Sequence, residues 1–482
     1  MKQVTDNPIK TQQTWRKCKI IATIGPASAD VETIYSMIMA GMNIARVNLS
    51  HGSVEWHREI VHNIHEAAGK AGRLVGVLAD IPGPKLRINN MDKPLHVKSG
   101  DILIISGEAD VSNIISVYPV SCIPEVYPGD NILIGDGTIE LTVVSSGSAI
   151  TASVIHGGLI REGMGVVIPD RRPVVPFAGG EFVKYLSIAL QLSPDYIALS
   201  FIGSAQDIRD TRALLNRNNA GDIPVIAKIE SRDAVSRLME IIRESDGIMV
   251  ARGDLGAYLP IEQVPHIQRT IIRCCNKTGI PVITATEMLE SMVHNTRPTR
   301  AEVTDVAHAI LDGTDATMLS AETSLGESPV NSVLMMSRIA TETELHLPYL
   351  SILKDREDWY EKSVEAVISN HACFIAEELA SPAIVAYTRS GLTAERVSRY
   401  RPRSPIIAIT SESRIAKRLL LFWGVIPVIA DPVTSQTELQ TTAVRIALET
   451  GIADPGDQLV IIAGNFAGKE GRTNLIKVKE VS

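Results

Sequence analysis

"VIAKIESRDAVSRLMEIIRESDGIMVARGDLG", residues 225–256, decides how the rest of the chain is read. Its two apolar runs, "VIAKIE" (225–230) and "GIMVAR" (247–252), have strand length, and "SRDAVSRLMEIIRES" between them repeats its apolar residues at helical spacing. Strand, helix and strand in this order imply a parallel pair with a crossover helix. The first run is interrupted by Lys228 and Glu230. Residues two apart on a strand point to the same face, so an ammonium and a carboxylate are aimed together at one spot. Burying either charge is costly unless it is paired or binds something.

The same unit recurs on both sides. Strands are expected at "KIIATI" (19–24), "IARVN" (44–48), "LVGVLAD" (74–80) and "YIALSF" (196–201), and again at "PVITATE" (281–287) and "ATMLSAE" (316–322). With the two runs above, these make eight βα units. That number predicts a closed (β/α)8 TIM barrel, an α/β fold whose strands are apolar on both faces. An open doubly wound sheet would be the rival, but no glycine-rich dinucleotide turn supports it. From about Ile88 to Asp170 the texture changes to short alternating runs and glycine-bearing turns, the pattern of a small all-β insertion in the barrel. After about residue 345 a further α/β pattern begins, with strands at "AIVAYT", "PIIAIT", "VIPVIA" and "QLVIIAG". The expected division is therefore 1–88 and 171–344 for the barrel, 89–170 for the insertion, and 345–482 for a C-terminal α/β domain.

Composition sets the outer limits. A 482-residue chain with 45% hydrophobic residues is long enough for several domains with cores of their own. A net charge of −8 argues against a nucleic-acid binder, while leaving room for local basic sites that take small phosphorylated molecules. Five cysteines without metal-ligand spacing imply reduced thiols. With neither an apolar leader nor a membrane-spanning run, the expectation is a cytoplasmic protein without membrane association.

Active sites of such barrels lie at the C-terminal ends of the strands. Asp80 ends the third expected strand, Lys228 and Glu230 the fifth, and Arg252 and Asp254 follow the sixth. Thr286 and Glu287 end the seventh, Ser320 and Glu322 the eighth. Any one of them could cap a helix; a ring of them at one rim is poorly explained by capping. Glu230 and Asp254, on neighbouring strands, suit a magnesium-type cation. Lys228 beside them could neutralise a transferring phosphoryl group. On the second strand Arg46, Asn48 and Ser50 alternate and share a face, with Arg46 a bidentate candidate for phosphate or carboxylate.

Taken together, "KIIATIGPAS", "AGMNIARVNLSHG", "VIAKIES", "SDGIMVARGDLG", "PVITATEMLESM", "RPTRAEVTDVAHAILDGTDATMLSAET" and "TRSGLTAERVSRYRP" closely resemble the pyruvate kinase family, in the family's order and over nearly the whole chain. The resemblance implies a TIM barrel with an inserted small β-barrel lid and a C-terminal α/β regulatory domain in a homotetramer, and phosphoryl transfer from phosphoenolpyruvate to ADP, giving pyruvate and ATP, with magnesium or manganese. Lys228 matches the lysine that stabilises the phosphoryl group, and Arg46 a phosphate-contacting arginine. Glu230 and Asp254 match the metal ligands, and Gly253, Asp254 and Thr286 the carboxylate-holding positions. Arg87, Asn48, His51 and Asp136 fall on the nucleotide side. Thr286 and Ser320 are candidates for a proton relay to the enolate carbon. Asn48, Ser50, Asp80 and Ile81 occupy monovalent-cation positions.

The chain also departs from the family pattern. "DIPGPK" (80–85) replaces Asp-Thr-Lys-Gly-Pro-Glu, Met164 and Leu325 stand where lysine is frequent, and Glu287 replaces a usual glutamine. Lys85 in place of glutamate is the pattern of potassium-independent members: a tethered ammonium can supply the charge of the ion. Further on, "AIVAYTRSGLTAERVSRY" (383–400) reads as strand, hydroxyl-rich turn and helix. There Thr388, Arg389, Ser390, Gly391 and Thr393 form a candidate cradle for a sugar-phosphate or nucleotide effector, against the plainer reading of a β-to-α turn. Two other classes fit parts of the pattern: a magnesium-dependent barrel lyase acting on pyruvate or phosphoenolpyruvate, and a catalytically silent metabolite sensor.

Overall fold

Eight parallel strands close into a barrel in the computed structural model, which describes residues 15–83, 85–91, 93–106, 114–118, 123, 125–135, 137–147, 149–169, 179–359, 362–464 and 473–482. The barrel strands are β1 (Lys19–Ile24), β2 (Ile44–Asn48), β3 (Gly76–Ile81), β4 (Tyr196–Leu199), β5 (Val225–Ile229), β6 (Gly247–Ala251), β7 (Val282–Ala285) and β8 (Ala316–Leu319). Each pairs with its sequence neighbours, and β1 closes the ring against β8. Their outward side chains, such as Ile20, Val77 and Ile229, pack under the surrounding helices, while Ile21, Leu78, Ile226 and Met249 fill the interior. Both faces are thus dry, which is why the runs carry so few polar residues. Several strand-to-helix turns are capped by their own sequence: Asp30, Ser53, Ser231 and Thr299 accept from the backbone N–H of Thr33, Trp56, Ala234 and Glu302. Such caps contribute roughly 1 kcal/mol each.

Several expected strands end early, among them "ATMLSAE", which stops at Leu319 before the helix Ala321–Ser324. "YIALSF" stops at Leu199 and "PVITATE" at Ala285, because Phe201, Thr286 and Glu287 adopt left-handed backbone at φ 57°, 65° and 52°. A residue with positive φ leaves the pleat, so the chain turns over the mouth of the barrel instead of extending past it. Between β3 and β4 a second closed barrel of seven short strands encloses an Ile- and Val-rich core. Its strand Leu86–Asn89 begins directly after the "DIPGPK" hinge.

The C-terminal sheet has five strands: β9 (Ile384–Tyr387), β10 (Ile406–Thr410), β11 (Val425–Ile429), β12 (Gln458–Gly464) and β13 (Thr473–Glu480). This is one more than the four expected from the sequence. The fifth, β13, runs antiparallel along β12, and its signal was the alternation of Ile476 and Val478 with Lys477 and Lys479. This domain also seals the floor of the barrel. Leu420 and Leu421 join the interior cluster, and the Tyr196 hydroxyl donates to the carbonyls of Lys417 and Arg418, both at 2.8 Å. Among the described residues no helix is long and apolar enough to cross a membrane. Cys18, Cys274, Cys275 and Cys373 are free thiols, while Cys122 lies outside the described residues.

A buried ion pair fastens the two units. Arg401 donates to both Asp315 oxygens at 2.6 and 2.9 Å, and to Asn276 Oδ1 and the Gly313 carbonyl at 2.8 Å. Both side chains are only 5% exposed. Arg401→Met leaves Asp315 charged without its partner and is expected to cost roughly 3–5 kcal/mol. Arg445→Met, which removes an exposed pair with Glu449, should cost less than about 1 kcal/mol. Urea denaturation of the two variants checks the contrast, and similar small losses in both would contradict it.

Candidate active site

Four charged side chains meet at the C-terminal mouth of the barrel. Arg46, on β2, points inward and donates from Nε to Asp80 Oδ2 at 2.8 Å and from Nη1 to Thr23 Oγ1 at 2.9 Å. Asp80, on β3, reaches Lys228 Nζ with its other oxygen at 3.3 Å. Lys228 also donates to Ser200 Oγ at 2.8 Å and lies 3.0 Å from Glu230 Oε1. The second oxygen of Glu230 accepts from Phe201 N at 2.6 Å, a bond that the left-handed turn at Phe201 makes available. Lys228 and Glu230 do share a face, as strand alternation requires.

Burial and charge act against each other here. Burial opposes the Lys228 ammonium, but Asp80 and Glu230 outweigh it and hold its pKa well above that of an ordinary lysine. Asp80 is also buried, yet Lys228 and Arg46 keep its carboxyl below the usual range. Glu230 goes the other way: burial, aided by repulsion from Asp254, raises it despite the lysine.

Arg46, Asp80 and Lys228 border a cavity of about 500 Å³ whose wall also includes Asn48, Ser50, His51, Lys85, Arg87 and Asp254. Burial, with the nearby Arg87 and Arg46 charges, lowers the pKa of His51. Arg87 donates to the Gly163 carbonyl of the second barrel at 2.8 Å. Asn48 Oδ1 accepts from Ser50 N at 3.1 Å, the local turn that the plain reading of these residues anticipates. Lys85 reaches across the hinge to Asp254 Oδ1 at 2.8 Å, a contact that spans 169 positions and has no local sequence signal. Ile81 does not face the cavity. It follows Asp80 on β3, so its side chain packs into the layer between strands and helices. Asp136 lies outside the described residues. Met164 packs against the core of the second barrel, and Leu325 is 65% exposed.

A second cluster adjoins the first. Thr286 Oγ1 accepts from Gly253 N at 2.8 Å and donates to the Ala285 carbonyl at 2.6 Å. Ser320 is held by its backbone N–H to Glu322 Oε2 at 2.6 Å, and its buried hydroxyl has no hydrogen-bond partner. No hydrogen bond joins Thr286 to Ser320. In the C-terminal domain Thr388 Oγ1 accepts from Gly391 N at 2.8 Å, and Thr393 Oγ1 shares a hydrogen bond with Thr473 Oγ1 at 2.9 Å. The Thr393 hydroxyl is therefore already engaged inside the fold.

Glu230 and Asp254 offer two carboxylates, and no group of three or more His, Cys, Asp or Glu suited to a metal occurs among the described residues. Such a donor set fits a hard cation that keeps water and ligand oxygens in its shell. Glu230 Oε1, buried and without a well-directed hydrogen bond, is an oxygen left for that purpose. Sequence reasoning missed Ser200, which directly follows β4 and accepts from the Lys228 ammonium at 2.8 Å. Arg252, expected at the rim after the sixth strand, is buried, with its guanidinium bonded to Asp305 and to the Thr286 and Glu287 carbonyls.

Comparisons with known proteins agree with this geometry. Family profiles described as "Pyruvate kinase, barrel domain" and "Pyruvate kinase, alpha/beta domain" match residues 15–333 and 366–479. A pyruvate kinase of Geobacillus stearothermophilus is 42% identical over 473 residues, covering 97% of this chain and 81% of that protein. One from Clostridium acetobutylicum is 39% identical over 471 residues, covering 97% and 100%. The crystal structure of a pyruvate kinase from Cryptosporidium parvum superposes with a TM-score of 0.89 at 34% identity, over 97% of this chain and 96% of that one. A barrel with charged groups gathered at its mouth, a second barrel inserted after β3, and these matches along almost the full length lead to one conclusion: the chain belongs to the pyruvate kinase family.

Proposed function

We propose that this chain moves the phosphoryl group of phosphoenolpyruvate to ADP, yielding pyruvate and ATP, in the cavity bordered by Lys228. The observation that carries the assignment is the buried ammonium held between Asp80, Ser200 and Glu230. An ammonium kept charged by its neighbours can meet negative charge developing on phosphoryl oxygens without reorganising. Arg46 borders the same cavity with Nε and Nη1 anchored, so its fixed guanidinium is placed to bind a phosphate oxygen. Glu230 and Asp254 would hold magnesium or manganese, which when bound supplies positive charge to the transferring group. The carboxylate of the substrate would rest on Gly253, Asp254 and Thr286, and Thr286 with Ser320 would relay a proton to the enolate carbon. Asn48, His51, Arg87 and Asp136 would face the nucleotide.

The domain limits given above, a cytoplasmic location and a homotetramer belong to the same reading. So does potassium independence. Lys85 already stands at the cavity wall beside Asp254, which supports a tethered charge at this end of the site. Because Ile81 faces the core, the case rests on Lys85 and not on a hydroxyl missing from position 81. The turn at residues 388–393 is proposed as an effector site, supported by exposed Arg389 and Ser390 beside the start of the helix Leu392–Arg399.

Three outcomes are expected. Lys228→Met should lower kcat by at least about a hundredfold with little change in the KM for phosphoenolpyruvate, and Glu230→Gln should raise the magnesium needed for half-maximal rate. Near-normal turnover of the lysine variant would overturn its role. In a buffer whose only monovalent cation is tetramethylammonium, the enzyme should be active and gain little from potassium, whereas Lys85→Glu should create a requirement; a many-fold rise in the unaltered enzyme would refute this. A panel of sugar phosphates and AMP should shift substrate affinity or thermal stability, with light scattering reporting a tetramer. No shift with any of them would end the effector reading.

A further inference from the structure

We propose that Arg252 is a positioning residue for the carboxylate end of the substrate, acting by holding the left-handed Thr286–Glu287 pair in place. This rests on the reading of Gly253 and Thr286 as carboxylate-binding positions. Arg252 opens the helix Arg252–Tyr258 directly after β6, and it is buried and does not border the cavity. Its Nη2 donates to the carbonyls of Thr286 and Glu287 at 2.7 and 2.9 Å, and Nε adds a second bond to Thr286 at 3.1 Å. Nη2 also lies 2.9 Å from Met288 Sδ. Nη1 is held by Asp305 at 2.5 Å and Gln268 at 3.4 Å, so the fork cannot swing away.

The loop under this fork is strained. Thr286 is β-branched and sits at φ 65°, followed by Glu287 at φ 52°. Conformations of that kind are costly and persist only where their surroundings over-determine them. Two successive left-handed residues bring consecutive carbonyls together, and a planar guanidinium can satisfy both. A lysine, with one nitrogen, lacks that flat fork. The consequence reaches the site through two short links. Thr286 Oγ1 receives Gly253 N at 2.8 Å, and Gly253 is the residue after Arg252. One arginine therefore sets both the strained hydroxyl and the backbone amide it meets.

Steady-state kinetics of Arg252→Lys, Asp305→Asn and Thr286→Ala test this. Arg252→Lys should raise the KM for phosphoenolpyruvate about tenfold or more, weaken inhibition by the enolate mimic oxalate by a similar factor, and leave the KM for ADP within about twofold. Asp305→Asn, which only loosens the fork, should show the same split to a smaller degree, and it decides the matter if Arg252→Lys does not fold. A merely structural role would lower thermal stability and depress both substrates alike, and that result overturns the proposal. If Thr286→Ala raises the KM for phosphoenolpyruvate but neither Arg252→Lys nor Asp305→Asn does, the hold by Arg252 is refuted. If Thr286→Ala leaves that KM unchanged, the carboxylate reading fails and the proposal falls with it.

Discussion

Asp80 stands between two buried cations, Arg46 at 2.8 Å and Lys228 at 3.3 Å, and the mouth of the barrel is organised around that arrangement. The carboxylate and the Lys228 ammonium hold each other ionised where burial opposes both charges, and Arg46 adds to the hold on Asp80. The geometry comes from the barrel itself. Asn48 lies opposite Asp80 across β2 and β3, and Asp80 opposite Ala198 across β3 and β4, so inward-facing residues of successive strands arrive at one level. Glu230 then adds a second negative charge beside Lys228 and leaves one oxygen without a well-directed hydrogen bond. Positive and negative groups are interleaved instead of segregated, which suits a reaction that brings phosphates and a metal ion together.

Rigidity below this layer serves precision above it. The barrel interior is filled by Ile21, Leu78, Ile226 and Met249 and closed from beneath by Leu420 and Leu421 of the C-terminal domain. The Arg401–Asp315 pair locks that floor to the base of β8. Loops at the opposite rim can therefore carry strain, as Phe201, Thr286 and Glu287 do, because the strands that feed them are immobilised by packing on both faces.

How much of this was legible in the residues depended on the range of the cause. Lys228 and Glu230 were readable together because a strand's period of two is a local rule, and the same rule, applied to Asp80 and Ile81, would have turned Ile81 away from the cavity. The parallel barrel followed from the recurrence of one strand-and-helix unit. The left-handed turns were hidden, since Phe201, Thr286 and Glu287 are not residue types that advertise positive φ. Hidden too were Lys85 on Asp254 and Arg252 on the carbonyls of Thr286 and Glu287, contacts between distant segments that exist only once loops close over the barrel. The β13 strand had a readable alternation but no following helix to mark it as part of the repeating pattern.

We propose a direct phosphoryl transfer by the interleaved charges at the barrel mouth. Phosphorus NMR of the unaltered enzyme with phosphoenolpyruvate and ADP follows every phosphate at once. The phosphoenolpyruvate resonance should be replaced one for one by the γ-phosphate of ATP, and chelating the divalent cation should stop the exchange. Release of inorganic phosphate without ATP, or consumption of phosphoenolpyruvate with no nucleotide product, would contradict it.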